Sequence, residues 1–186
     1  GLWHSTAPMA SLSSRQPGGE VRMKDDPQAP SRSFLKVEEA FYCMNEWPQP
    51  GQRVVDLGAA PGGWTLAFAK RGCAVAAVDN GALKLPPPGS GWGPVEHLKR
   101  DGLSFALPAD TPPVDWLVAD MLVPPGCVVS LLRNWLKAPA MKRFVVNMKL
   151  PEGPPLGAIR PLQELLAQHP NFQTKLRHLY HDREEI

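Results

Sequence analysis

Residues 54–64 read Val-Val-Asp-Leu-Gly-Ala-Ala-Pro-Gly-Gly-Trp. A short apolar strand runs directly into a glycine-rich turn and then into a helix. No other segment restricts the possible folds as much. Glycines in such a turn let the backbone approach a ligand closely, and the start of the helix adds exposed N–H donors. The rest of the chain continues the alternation. Val54–Leu57, Val75–Val78, Val95–Leu98, Val114–Ala119 and Phe144–Met148 read as strands. Trp64–Lys70, stopped by Gly72, Val128–Leu136 and a segment from about Ile159 to Gln168 read as helices. Upstream, Phe34, Val37, Phe41 and Met44 recur at helical spacing, with Ser33 as the expected N-cap. Lys175–Tyr180 is a last strand candidate. This pattern predicts an α/β fold, a mostly parallel sheet with helices on both faces. The strands are continuous apolar runs, as expected when both faces of a sheet are covered.

Open α/β sheets bind ligands at the carboxyl ends of their strands. The first four strands deliver Asp56, Asp79, Asp101 and Asp120 there, and the fifth reaches Lys149. Asp79 follows Gly63 by 16 residues, close to the ~20 expected of an acid that holds a ribose hydroxyl. The turn has the form GxxPGG and not GxGxxG, which disfavours a pyrophosphate cradle. Acidic strand ends suit a cationic cofactor such as S-adenosylmethionine, which carries a sulfonium and an ammonium.

The segment DLGAAPGGW resembles motif I of the FtsJ-type RNA 2′-O-ribose methyltransferases. SRSFLKVEEAF, VDNG, HLKRDGLSF, DWLVADM, NMKLP and LYHDREEI resemble one branch, the RlmM type, from about residue 28 to the end. That branch methylates a cytidine ribose of bacterial large-subunit (23S) ribosomal RNA. The resemblance implies a Rossmann-like S-adenosylmethionine-dependent methyltransferase fold and a Lys-Asp-Lys-Glu tetrad. By position the tetrad falls on Lys36, Asp120, Lys149 and Glu185, with Glu184 as the alternative. The donor pocket falls on Ser33, Gly58, Ala60, Pro61, Gly62, Gly63, Asp79, Asp101 and Asp120. Relatives carry a further N-terminal RNA-binding region of THUMP type and a final strand. The expectation is therefore a catalytic-domain fragment, with residues 1–30 as a flexible arm and 31–186 as the methyltransferase domain.

A ribose hydroxyl is a poor nucleophile and needs a base. Lysine at its ordinary pKa of ~10.4 is in the wrong form; a second lysine and partial burial push that value down, while Asp120 opposes them. Lys149 is the expected base, Asp120 its orienter and a cofactor contact, and Lys36 a tuning cation. Glu185 is expected to hold Lys36 or the ribose.

Net charge is only +2, which excludes a histone-like polycation. The charge is uneven: from Arg133 onward nine basic residues face five acidic ones. Arg133, Lys137, Lys142 and Arg143 are the expected RNA-binding surface. Cys43, Cys73 and Cys127 lie far apart, which argues against a disulfide framework or a Cys-based zinc site. His178 and His181, with only Asp182 near, make a poor metal set. The expectations are a cytoplasmic monomer without metal or membrane span. Three rival readings are a base methyltransferase, a non-catalytic RNA-binding domain and a nicotinamide oxidoreductase. Asp120-Met121-Leu122-Val123-Pro124-Pro125 lacks the D/N-P-P-aromatic motif of the first. Lys36, Asp120 and Lys149 together argue against the second, and the missing GxGxxG against the third.

Overall fold

A computed structural model of the chain describes residues 21–137, 140–150 and 156–181. In order the elements are α1 (Ser33–Met44), β1 (Arg53–Leu57), α2 (Gly63–Ala69), β2 (Ala74–Val78), β3 (Val95–Leu98), β4 (Val114–Ala119), α3 (Pro125–Leu136), β5 (Met141–Val146) and α4 (Leu156–Ala167). The five strands pair in the order β3-β2-β1-β4-β5, all parallel. Chain order reverses between β1 and β4, so the crevice where such sheets bind ligands opens at the ends of those two strands.

Strand residues alternate between two covered faces. Val54, Val75, Ala77, Trp116 and Val118 pack under α1 and α2. Val55, Leu57, Leu117 and Ala119 pack under α3 and α4. On the first face Phe41, Phe68 and Trp116 meet edge to face with ring centroids 5.1 to 5.7 Å apart. Such aromatic contacts add to the stabilisation from buried area alone. The Trp116 indole N–H is not orphaned: it donates to Gln52 Oε1 at 2.8 Å.

Several boundaries differ from expectation. Ser33 is the first helical residue of α1 and not its cap; Arg32 occupies the cap position without a side-chain cap bond. Asn45 ends the helix in the left-handed conformation, its N–H donating to the carbonyls of Phe41 and Tyr42. The last strand runs from Met141 to Val146, earlier than its apolar run suggests. Lys142 and Arg143 interrupt that run in sequence, yet the ladder with β4 includes them, setting Met141 opposite Val114 and Arg143 opposite Trp116. Helix α4 also starts earlier, at Leu156, and accommodates Pro161 in its interior. Lys175–Tyr180 forms no strand. Residues 21–30 are attached and not a loose arm. Val21 is buried, Asp26 is ion-paired with Lys70, and Arg22 stacks over Tyr180. Residues 1–20 lie outside the described residues.

Candidate active site

Parallel pairing of β4 with β5 sets Ala119 opposite Val146, so the residues just past each strand meet. Asn147 N–H donates to the Ala119 carbonyl at 2.9 Å and continues the ladder. Asp120 is the hub. Its Oδ1 accepts from Asn147 Nδ2 at 2.9 Å and from Lys149 Nζ at 3.1 Å. Its Oδ2 lies 3.5 Å from Lys36 Nζ. The three charged side chains are only 13% to 20% exposed. Two ammonium groups thus converge on one carboxylate in a partly desolvated place, where charges interact more strongly than in open water.

Lys36 reaches the hub because α1 is tied down at its start. The Trp64 indole N–H donates to the Ser33 carbonyl at 2.9 Å. Gly63 makes room for this: a Cβ there would lie 2.5 Å from Ser33 Oγ, 2.6 Å from Ser31 Oγ and 3.0 Å from the Phe34 backbone nitrogen. Gly62 has φ +115°, a conformation that favours glycine, and caps α2. A Cβ on Gly62 would meet Leu85, and one on Gly58 would meet Met121. These three glycines therefore answer to packing within the protein as well as to any ligand.

The residues that the sequence suggests for a donor pocket gather at the same edge of the sheet. Asp79 braces the turn, with Oδ2 accepting from Ala60 N–H at 3.0 Å and Oδ1 from Gly81 N–H at 2.6 Å. The bond from Ala60 to Pro61 is cis. Asp101 is exposed; its Oδ1 accepts the Leu103 N–H at 3.1 Å, and this bond holds its carboxyl below the usual range. Asp56 is buried and accepts the Thr65 hydroxyl at 2.6 Å. Burial pushes its carboxyl up to about 7, and the charges of Asp120 and Asp79 push the same way. Ser33 shares a hydrogen bond with Ser31 at 2.7 Å. Asp79, Asp101 and Asp120, the acids at this edge besides the buried Asp56, fit a donor that carries positive charge.

The four expected RNA-binding residues are not brought to this edge. Lys142 and Arg143 lie near the start of β5 and point to opposite faces of the sheet. Lys142 pairs with Asp115 at 2.8 Å, and Arg143 pairs with Glu46 and stacks on Trp116. Arg133 and Lys137 are exposed at the C-terminal end of α3, where cations complement the helix dipole. Glu184 and Glu185 lie outside the described residues. Among the described residues no group of three His, Cys, Asp or Glu side chains is placed to hold a metal ion. No helix among them is long and apolar enough to cross a membrane. Sequence reasoning misses Asn147 and Glu39; both are buried polar groups, the first inside a run that reads as a strand and the second on a helix, where a glutamate reads as solvated surface.

A family model described as FtsJ-like methyltransferase matches residues 29–139. The chain belongs to that family. As an FtsJ-like methyltransferase it is 43% identical over 183 residues to a protein of Laribacter hongkongensis (strain HLHK9) named ribosomal RNA large subunit methyltransferase M. The match covers 91% of this chain and 50% of that relative. A protein of the same name from Thauera aminoaromatica is 38% identical, with coverage of 98% and 53%. The chain thus spans about half the length of the curated relatives it matches. Among solved structures, a putative hemolysin from Streptococcus thermophilus superposes with a TM-score of 0.56 at 18% identity, over 78% of this chain and 58% of that one. That likeness shows the fold alone: the FtsJ-like methyltransferase has a Rossmann-like sheet.

Proposed function

We propose that this chain is the catalytic domain of an enzyme that methylates a ribose 2′-hydroxyl, at a cytidine, in large-subunit ribosomal RNA, with S-adenosylmethionine as donor. The observation that carries the reading is the Asp120 carboxylate shared by Lys36, Lys149 and Asn147. The relatives' names support the RNA, and the acidic strand ends support the donor. Asp79 and Asp101 are the residues proposed to hold its ribose and adenine end, with the backbone of the 58–63 turn and Asp120 around its cationic end. When bound, the donor supplies a methyl group already activated by a positive sulfur.

The chain's own work is then to position and deprotonate the hydroxyl. Lys149 would take the proton of the 2′-hydroxyl as that oxygen becomes the nucleophile toward the donor's methyl group. Asp120, anchored by Asn147, aims the Lys149 amine; Lys36 stays as the cation that offsets negative charge developing on the oxygen. Alignment of the attacking oxygen with the carbon–sulfur bond supplies much of the acceleration.

The test is transfer of a tritiated methyl group from S-adenosylmethionine to unmethylated ribosomal RNA by the full-length protein, followed by nucleoside analysis. Label on the ribose of cytidine is expected. Label on a base, or none, overturns the reading.

A further inference from the structure

Leu122 is 89% exposed and Leu156 76%, the two most exposed large apolar side chains among the described residues. A single exposed leucine is ordinary. These two share a place. Leu122 lies on the connection from β4 to α3, and Leu156 opens α4, after β5. The two strands are parallel neighbours, so both connections leave the carboxyl edge of the sheet. Asp120 and Lys149 stand on the same two connections.

Leu122 is also held outward. The Val123 N–H donates to the Met121 carbonyl at 3.0 Å, closing a three-residue turn with Leu122 at its apex. Met121 and Val123, on either side, are partly buried against the core. A Cβ on Gly58 or Gly102 would meet Met121, so the turn also rests against those two backbones. Pro124 and Pro125 follow, and each ring fixes its own φ. The leucine is a stiff apolar knob whose Cα lies within about 7 Å of that of Asp120, the reach of two residues.

The charged groups beside it are recessed: Lys36, Asp120 and Lys149 are only 13% to 20% exposed. A ribose held in a continuous stack is hindered by its neighbours from entering so far. RNA-binding proteins draw nucleotides from loops, bulges and ends, whose bases can be splayed out onto protein side chains. A splayed base has lost a stacking partner, and an apolar side chain such as leucine can take that partner's place.

We infer that Leu122 receives the unstacked base of the target nucleotide: its side chain packs on the face of that base while the ribose lies at Asp120 and Lys149, and Leu156 borders the same base from the neighbouring connection. This rests on the RNA ribose reading above. The contact is one of burial and not of charge, so it neutralises no phosphate.

The experiment uses the full-length protein and unmethylated large-subunit ribosomal RNA. RNA affinity is measured by filter binding across a salt series, KM for RNA by methyl transfer, and S-adenosylmethionine affinity by calorimetry. Leu122→Ser should weaken RNA binding by about 10-fold, the value of burying most of a leucine side chain, and raise KM in step. The log–log salt slope should stay the same, because no counterion is released at this side chain. Donor affinity and the thermal midpoint should also keep the parent's values. Leu122→Met, apolar and similar in volume, should restore RNA binding. Unchanged RNA affinity and KM in Leu122→Ser overturn the inference. A changed salt slope, a loss of donor affinity or no rescue by Leu122→Met overturns it as well. Leu156→Ser should weaken binding in the same sense, and normal binding there strikes Leu156 from the contact. If the parent protein labels a base, the ribose reading falls while the binding series still decides the contact. If the parent binds no ribosomal RNA, both fall.

Discussion

At neutral pH the Asp56 carboxyl works against the fold that buries it. It lies at the end of β1 with the Thr65 hydroxyl as donor, below the shared edge of Asp79 and Asp120. Its ordinary value is 3.8; burial raises it to about 7 in the fold. Between those values the folded chain holds a proton that the unfolded chain has released, so this group's contribution to stability falls as pH rises. At 1.36 kcal/mol per pH unit the window amounts to about 4 kcal/mol. Asp56→Asn keeps an acceptor for Thr65 and cannot ionise. Urea denaturation of both proteins at pH 4 and pH 8 should show the variant gaining about 3 to 4 kcal/mol on the parent between the two. Equal pH slopes for the two proteins would refute the reasoning: Asp56 would then have enough water or cation beside it to ionise normally.

Lys149→Ala should slow methyl transfer by about 10²- to 10⁴-fold, the range of a general base. Lys149→Arg should fail as well, since a guanidinium keeps its proton; near-normal turnover of the Arg variant would remove the base assignment. Gly63→Ala should push the start of α1 away from α2, costing about 1 to 3 kcal/mol as overpacking does. Thermal melts and kcat should fall together, and an unchanged melt would contradict the close approach. Phe68→Ala, which removes one of three rings that meet edge to face, should cost about 3 to 5 kcal/mol, read from denaturation midpoints. Lys142→Ala should leave RNA affinity and its salt dependence nearly unchanged, whereas a drop of about one in the log–log salt slope would restore Lys142 to the RNA surface.

The sheet was legible because β1, β2 and β4 are largely apolar and bounded by glycine, proline or aspartate, and because the 54–64 turn allows little besides strand–turn–helix. The meeting of Asp120 with Lys149 was legible for a related reason: both follow apolar runs, and neighbouring parallel strands end at one edge. Charge along a sequence says nothing about faces: Lys142 and Arg143 are neighbours in the chain, but adjacent strand residues point apart. Lys175–Tyr180 looked like a strand by composition, but its backbone donors at 180 and 181 go to Glu39 and not to a neighbouring strand. Glu39 itself was invisible. A glutamate on a helix reads as solvated surface, and its partners lie 141 and 142 residues away.

The edge where the strands begin carries its own polar cluster, Asp115 receiving the Arg53 N–H at 2.9 Å and the Lys142 ammonium at 2.8 Å. It lies a full strand length from Asp120, and the Lys142 side chain is 60% exposed. That makes it a natural handle. A dye or a surface tether coupled through that lysine would hold the molecule with its working edge turned outward, so that transfer by single immobilised molecules becomes observable in one orientation.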